Sequence, residues 1–160
     1  MGLFGTKRVE IKETTVRECV GMVETFFKKY DINPNQQRLP DRDTLGWWLQ
    51  RGSALVYIIL NQHDDTPTVR ILSPILYLPE NYILPFYRKC LELNIELINC
   101  AFAVADDKVV VISERPIDGL DQHELEGTIK YLSAVADDVD DKLASEFKAR
   151  MYLEGGRVRF

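Results

Sequence analysis

The chain has 160 residues, 46% of them hydrophobic and 10% aromatic, enough for one domain that buries roughly 68–70% of the surface its unfolded form exposes. Lys+Arg 20 against Asp+Glu 25 leaves a net charge of −5, which repels a phosphate backbone, and no basic grouping is dense enough to override it. With no run of about 18 apolar residues and no apolar leader core, the sequence predicts a soluble protein that binds neither nucleic acid nor membrane.

The opening MGLFGTKR matches the loose myristoylation pattern at Gly2 and Thr6, but such a short match reads more simply as a frayed terminus. ETTVRECVGMVETFFKKY then sets Val16, Val20, Val23, Phe26, Phe27 and Tyr30 at three- and four-residue intervals. Glu13 ahead and lysines in the last turn suit the dipole of an amphipathic helix. DINPNQQRLPDRD follows as a connector, because Pro34 and Pro40 disfavour helix at the residue before each. TLGWWLQ reads as a strand. ALVYIIL, residues 54–60, is apolar on both faces and predicts an interior strand, whereas TVRILS alternates, with Val69 and Ile71 opposite Thr68, Arg70 and Leu72.

In LPENYILPFYRKCLELN the proline at 85 conflicts with one continuous helix from 79. The expectation is a single turn over 79–83 and a helix starting with Pro85 at its first position, closed by Asn94. LINCAFAV and KVVVISE form a hairpin about Asp106-Asp107, with Ile98, Cys100, Phe102 and Val104 on one face of the first strand. The final helix opens with a capping-box-like Asp121 and Glu124, stapled by Leu120 and Leu125. Leu125, Ile129, Leu132, Ala136, Val139 and Leu143 give it one apolar seam as far as about Arg150. A single domain over 1–150 and a flexible tail over 151–160, hinged at Gly155-Gly156, are expected.

The order α-β-β-β-α-β-β-α predicts an α+β fold, an antiparallel sheet of about five strands with three helices. Several phrases within 52–147 carry a resemblance: ILYLPE, CLELN, AFAVADDKVVVISERP, LDQHELEGTIKYL and ADDVDDKL. They resemble the YbjN family, in a cyanobacterial or plastid-type branch, whose domain is similar to the type III secretion chaperones. The resemblance implies a secretion-chaperone-like, often dimeric binding domain with chaperone or regulatory roles and no catalytic signature.

Trp47 and Trp48 are the main site question, since neighbouring strand residues face opposite ways. Alternation puts Trp47 with Leu45 and Leu49 in the core. Trp48 shares a polar face with Thr44, Gly46 and Gln50, and Gly46 is expected to leave open space beside it. Trp48, Gly46 and Gln50 are therefore the candidate partner-binding residues, against the alternatives that helix 1 or the tail covers Trp48, or that a bulge exchanges the two rings.

His63, Asp64 and Asp65 form a weak metal candidate and the basis of an alternative reading as a metal-dependent hydrolase. With no second His or Cys at ligand spacing, turn chemistry is the preferred reading. His123 reads as a surface residue in a helix first turn. Of the aspartates in ADDVDD, Asp138 and Asp141 should point to water while Asp137 and Asp140 flank the seam, a solvated face rather than an ion site. Cys19, Cys90 and Cys100 are odd in number and unpaired in spacing, as in a reduced cytoplasmic protein. The expectation is a non-catalytic adaptor without cofactor or metal that binds a protein or peptide. It should form a homodimer covering a sheet edge or face, and a purely structural oligomer is a further alternative.

Overall fold

The computed structural model describes residues 15–41, 43–63 and 65–152, apart from the His63 side chain. Helix α1 (Val16–Lys29) starts at a capping box with Thr15 as its N-cap. The Glu18 N–H donates to Thr15 Oγ1 at 3.2 Å and the Thr15 N–H to Glu18 Oε2 at 2.7 Å, which satisfies two orphan donors reciprocally. The connector folds one 3-10 turn, Pro34–Gln37, capped by the Asn33 side chain. Strands β1 (Leu45–Arg51), β2 (Ala54–His63) and β3 (Thr66–Tyr77) follow as a meander. After α2 (Ile83–Leu93) come β4 (Ala101–Ala105) and β5 (Lys108–Pro116), and α3 (Gln122–Phe147) is the last helix. The five strands form one antiparallel sheet in the order β1-β2-β3-β5-β4, the α+β architecture that the element order predicts.

One face of the sheet, here the inner face, holds Trp47, Ile58 and Ile71 in register across β1, β2 and β3. All three helices place buried side chains into one cluster with these residues: Phe27 from α1, Phe86 from α2, and Leu125, Ile129, Leu132, Ala136 and Leu143 from α3. Five of the six seam positions of α3 are thus buried and Val139 is partly so. A register shift between Pro74 and Leu76 returns Leu76 to the inner face opposite Val109, so β3 contributes to the core over its whole length.

Three local expectations are corrected. Helix α2 begins at Ile83, with Pro85 third, because none of the first four N–H groups has an intrahelical partner to lose. The first strand of the second hairpin begins at Ala101, because Asn99 adopts a left-handed φ of 54° and breaks the extended run. Ile98 and Val104 are consequently exposed, leaving Phe102 as the buried residue of that set. Third, Met151 and Tyr152, expected in a flexible tail, are paired with β3. Met151 bridges Leu76, the Tyr77 N–H donates to the Arg150 carbonyl at 2.8 Å, and the Tyr152 N–H donates to the Ile75 carbonyl at 2.9 Å.

Candidate functional site

The second, outer face of the sheet carries a row of apolar side chains in direct register across all five strands: Trp48, Tyr57, Leu72, Ile112 and Ala101. Each is half-buried. Beside the row lie Leu55 and Val110, only 2% and 4% exposed and outside the core cluster that the helices share. The double-sided hydrophobicity of ALVYIIL was the sequence signal for this layer, since a strand apolar on both faces needs a second covering. The row itself was invisible in the sequence because strand register is set by turns and bulges far apart in the chain.

The two tryptophans part as alternation predicts. Trp47 is fully buried, with the Arg38 guanidinium 4.1 Å from its ring centroid, whereas Trp48 lies on the outer face with Gly46 and Gln50. The expected open space beside Gly46 is not there. A Cβ at that position would meet the Leu39 side chain and the Ile58 carbonyl, so the glycine is required by close packing of the connector on β1.

The outer face is graded along the strands. At one end Glu114 accepts from Thr68 Oγ1 at 2.9 Å and from Arg70 Nη2 at 2.7 Å. At the other end Tyr57 and Tyr152 are hydrogen-bonded, and burial together with that neighbour pushes the Tyr57 hydroxyl up. The Tyr152 ring lies 5.8 Å from that of Tyr77, which also carries the Arg150 guanidinium at 3.6 Å. This end is aromatic and cationic.

The acidic string of α3 divides more sharply than expected. Asp138 and Asp141 are exposed, but Asp140 is buried and Asp137 half-buried, a correction to the reading of one solvated face. Both grip the β1–β2 turn. Asp137 Oδ1 accepts from the Ser53 N–H and Oγ at 2.7 Å each, and Asp140 Oδ2 lies 2.7 Å from the same Oγ. One hydroxyl proton cannot serve two carboxylates. Hydrogen bonds from Ser53 hold Asp137 below the usual carboxylate range, while burial pushes Asp140 up.

Burial pushes the Cys19 and Cys90 thiols up to about 11 and also raises Cys100, the opposite of what a nucleophilic thiolate requires. Asp64 and the His63 side chain, like Gly2 and Thr6, lie outside the described residues, and Asp65 is exposed in the turn between β2 and β3. Among the described residues no group of three or more His, Cys, Asp or Glu could hold a metal ion. His123 is exposed in the first turn of α3.

Helix α2 is apolar on two sides. Phe86 and Cys90 face the core, while Leu84, Tyr87, Leu91 and, beyond its end, Ile95 form an exposed outer stripe. Between α2 and β4 runs an apolar groove of about 320 Å³ lined by Tyr87, Leu91, Phe102 and Val104. β4 is an edge strand, and its Phe102 N–H points outward to Asn94 Oδ1 at 2.7 Å.

Compared with known proteins, residues 33–155 match the model of TY-Chap1, described as the T3SS (YopN, CesT) and YbjN peptide-binding chaperone 1 family. The chain belongs to the TY-Chap1 family. The matched stretch runs from the connector through β1–β5, α2 and α3 and includes every residue of the outer row; α1 precedes it. Seven solved chains match the TY-Chap1 protein. One is the crystal structure of YbjN from E. coli, at 11% identity and a TM-score of 0.49, covering 82% of this chain and 94% of that one. No curated protein sequence matches it. No helix among the described residues is long and apolar enough to cross a membrane.

Proposed function

We propose that the protein is a non-catalytic chaperone or adaptor that captures an extended, apolar peptide segment of a partner protein on the outer face of its sheet. The apolar row Trp48, Tyr57, Leu72, Ile112 and Ala101 is the observation that carries this reading. The family description supplies the peptide-binding chemistry, and the row supplies a place for it, with Trp48 as the aromatic anchor and Gly46 and Gln50 beside it. Aromatic anchors in partly desolvated settings dominate peptide interfaces. The test is a peptide array spanning proteins of the native cell, probed with the intact chain and with Trp48→Ala and Ile112→Asp. Sequences with alternating apolar residues should be retained by the intact chain and lost in both variants. Equal retention by all three would place capture elsewhere on the protein.

A homodimer through α2 and β4 accompanies this reading. The stripe Leu84, Tyr87, Leu91 and Ile95, with Ile95 87% exposed, continues into the groove and the outward edge of β4, the self-complementary kind of surface a two-fold interface needs. Light scattering should give twice the chain mass for the intact protein and a single chain mass for Leu91→Asp. A monomeric intact protein at micromolar concentration would remove the dimer from the proposal and leave peptide capture standing. The unpaired thiols support a cytoplasmic location within the same reading.

A further inference from the structure

At the β1 edge of the sheet, where the end of α1 meets the first half of α3, lies a hollow of about 590 Å³, within the range of about 300–1,000 Å³ that small-molecule sites occupy. Its base is Phe26, Leu49 and Ile129, all buried, and Ile32 and Tyr30 form one side, the Tyr30 ring 5.2 Å from that of Phe26. Two features set it apart from an unfilled gap between helices. The first is charge. Its lining holds two cations, Arg51 and Lys130, both exposed at the mouth, and no carboxylate, in a chain of net charge −5. Two other cavities are lined by acids, Glu80, Asp107 and Glu146 in one and Glu114, Asp118 and Glu124 in the other. Arg51 Nη1 donates to the Lys130 carbonyl at 2.9 Å, which fixes the guanidinium against α3, and Lys130 Nζ lies 5.7 Å from the Tyr30 ring centroid. The acids that reach these two cations are engaged by other donors. Glu126, 3.5 Å from Lys130 Nζ, accepts from Lys29 at 2.7 Å and from Gln122 at 3.0 Å, and Asp137, which acts on Arg51, accepts from Ser53.

The second feature is Gly127, inside α3 and part of the same lining. Glycine is the poorest helix former after proline, and a Cβ at this position would meet nothing within 4 Å. Packing of the folded chain therefore does not call for a glycine here. What its missing side chain provides is open backbone on the wall of the hollow, the setting in which a ligand approaches a main chain closely.

We propose that this hollow is a binding site for a small amphipathic carboxylate, an apolar body such as an acyl chain that carries one carboxylate. The body lies along Phe26, Leu49 and Ile129 and passes Gly127, and the carboxylate lies between Arg51 and Lys130. Burial of the body removes apolar wall and ligand from water together, and the two cations supply charge-assisted hydrogen bonds to the carboxylate. The volume favours a separate small molecule over one side chain of a bound peptide, which would leave most of the 590 Å³ empty. The site uses none of the outer row and stands independently of the peptide-binding reading above.

Isothermal titration calorimetry of the full chain with dodecanoate below its micelle concentration, and with dodecanol as the uncharged control, tests the site. The intact chain should bind dodecanoate more tightly than dodecanol. Gly127→Leu should abolish binding of both while the melting temperature holds or rises, because leucine is the better helix former. Gly127→Ala, a methyl group in open space, should raise the melting temperature and keep binding. Arg51→Gln and Lys130→Gln should each weaken dodecanoate by about tenfold or more, the equivalent of one charge-assisted hydrogen bond, and leave dodecanol unchanged. Trp48→Ala should leave both probes unchanged. Failure of the intact chain to bind dodecanoate would overturn the proposal, and so would binding undiminished in Gly127→Leu. Equal affinities for dodecanoate and dodecanol would remove the carboxylate from it. Loss of the probe in Trp48→Ala would also overturn it, by assigning the probe to the outer row and hence to a peptide surface. A failed peptide array leaves each of these readouts interpretable, since none uses a client.

Discussion

Gly52→Ala is the sharpest perturbation the fold offers, because one methyl group acts on the backbone and on the β1–β2 clamp together. Gly52 has a φ of +56°, and a Cβ there would fall on the Asp137 carboxylate. The left-handed conformation costs a side-chain-bearing residue about 1 kcal/mol. The carboxylate can swing away, but only by releasing the Ser53 N–H and hydroxyl it holds at 2.7 Å, and hydrogen bonds to a charged group contribute about 1.5–3 kcal/mol. Gly52→Ala should therefore destabilise by about 2–4 kcal/mol and Asp137→Ala by about 1.5–3 kcal/mol. In the Asp137→Ala background the clash has no target, so Gly52→Ala should cost only about 1 kcal/mol more. Urea unfolding of the four chains at pH 7, followed by far-UV circular dichroism, gives the coupling energy, expected at about 1–3 kcal/mol. Additivity within about 0.5 kcal/mol would show that the turn accommodates the methyl without loosening its grip on α3, and the clamp argument would be wrong.

Trp47→Ala empties the largest fully buried site and should cost about 3–5 kcal/mol in the same assay, whereas Trp48→Ala should lower peptide capture with a melting temperature close to that of the intact chain. Equal destabilisation by both would make Trp48 a second core residue. On α3, Leu132→Ala and Leu143→Ala should each cost about 2–5 kcal/mol, and Asp138→Ala or Asp141→Ala should stay within about ±0.5 kcal/mol by thermal melting. Glu126 is held down to about 2 by Lys29, Gln122 and Lys130. Its folded value lies below its unfolded one, so its stabilisation is present above about pH 4.5 and is lost as the pH falls towards 2. The loss of stability across that window should be shallower in Glu126→Gln, and an unchanged acid limb by denaturant titration would refute the linkage.

Long, strongly periodic elements were legible in the sequence. The α3 seam, its Asp121 cap, whose side chain accepts from the Glu124 N–H at 2.8 Å, and the split of Trp47 from Trp48 follow from local rules that operate within one turn or one strand. Boundaries were less so, because Asn99 takes a left-handed conformation that asparagine tolerates but does not announce, and Tyr82 takes one that a bulky residue rarely adopts. The outer row escaped the sequence for a different reason: Trp48, Tyr57, Leu72, Ile112 and Ala101 come together only through four strand registers. The spacing in ADDVDD set Asp140 only beside the seam, and the return of the β1–β2 turn over α3 buries it.

The pairing of residues 150–152 with the end of β3 sets the order in which the domain can be completed. Leu76 belongs to the middle strand of the sheet, yet its bridge partner, Met151, comes from beyond the last helix. During synthesis every shorter chain presents the end of a central strand with unpaired backbone groups, a template for other nascent chains. Closure of the sheet depends on a contact between residues far apart in the chain and is correspondingly slow. A member of a family described as peptide-binding chaperones would on this topology spend its own synthesis in need of shelter itself.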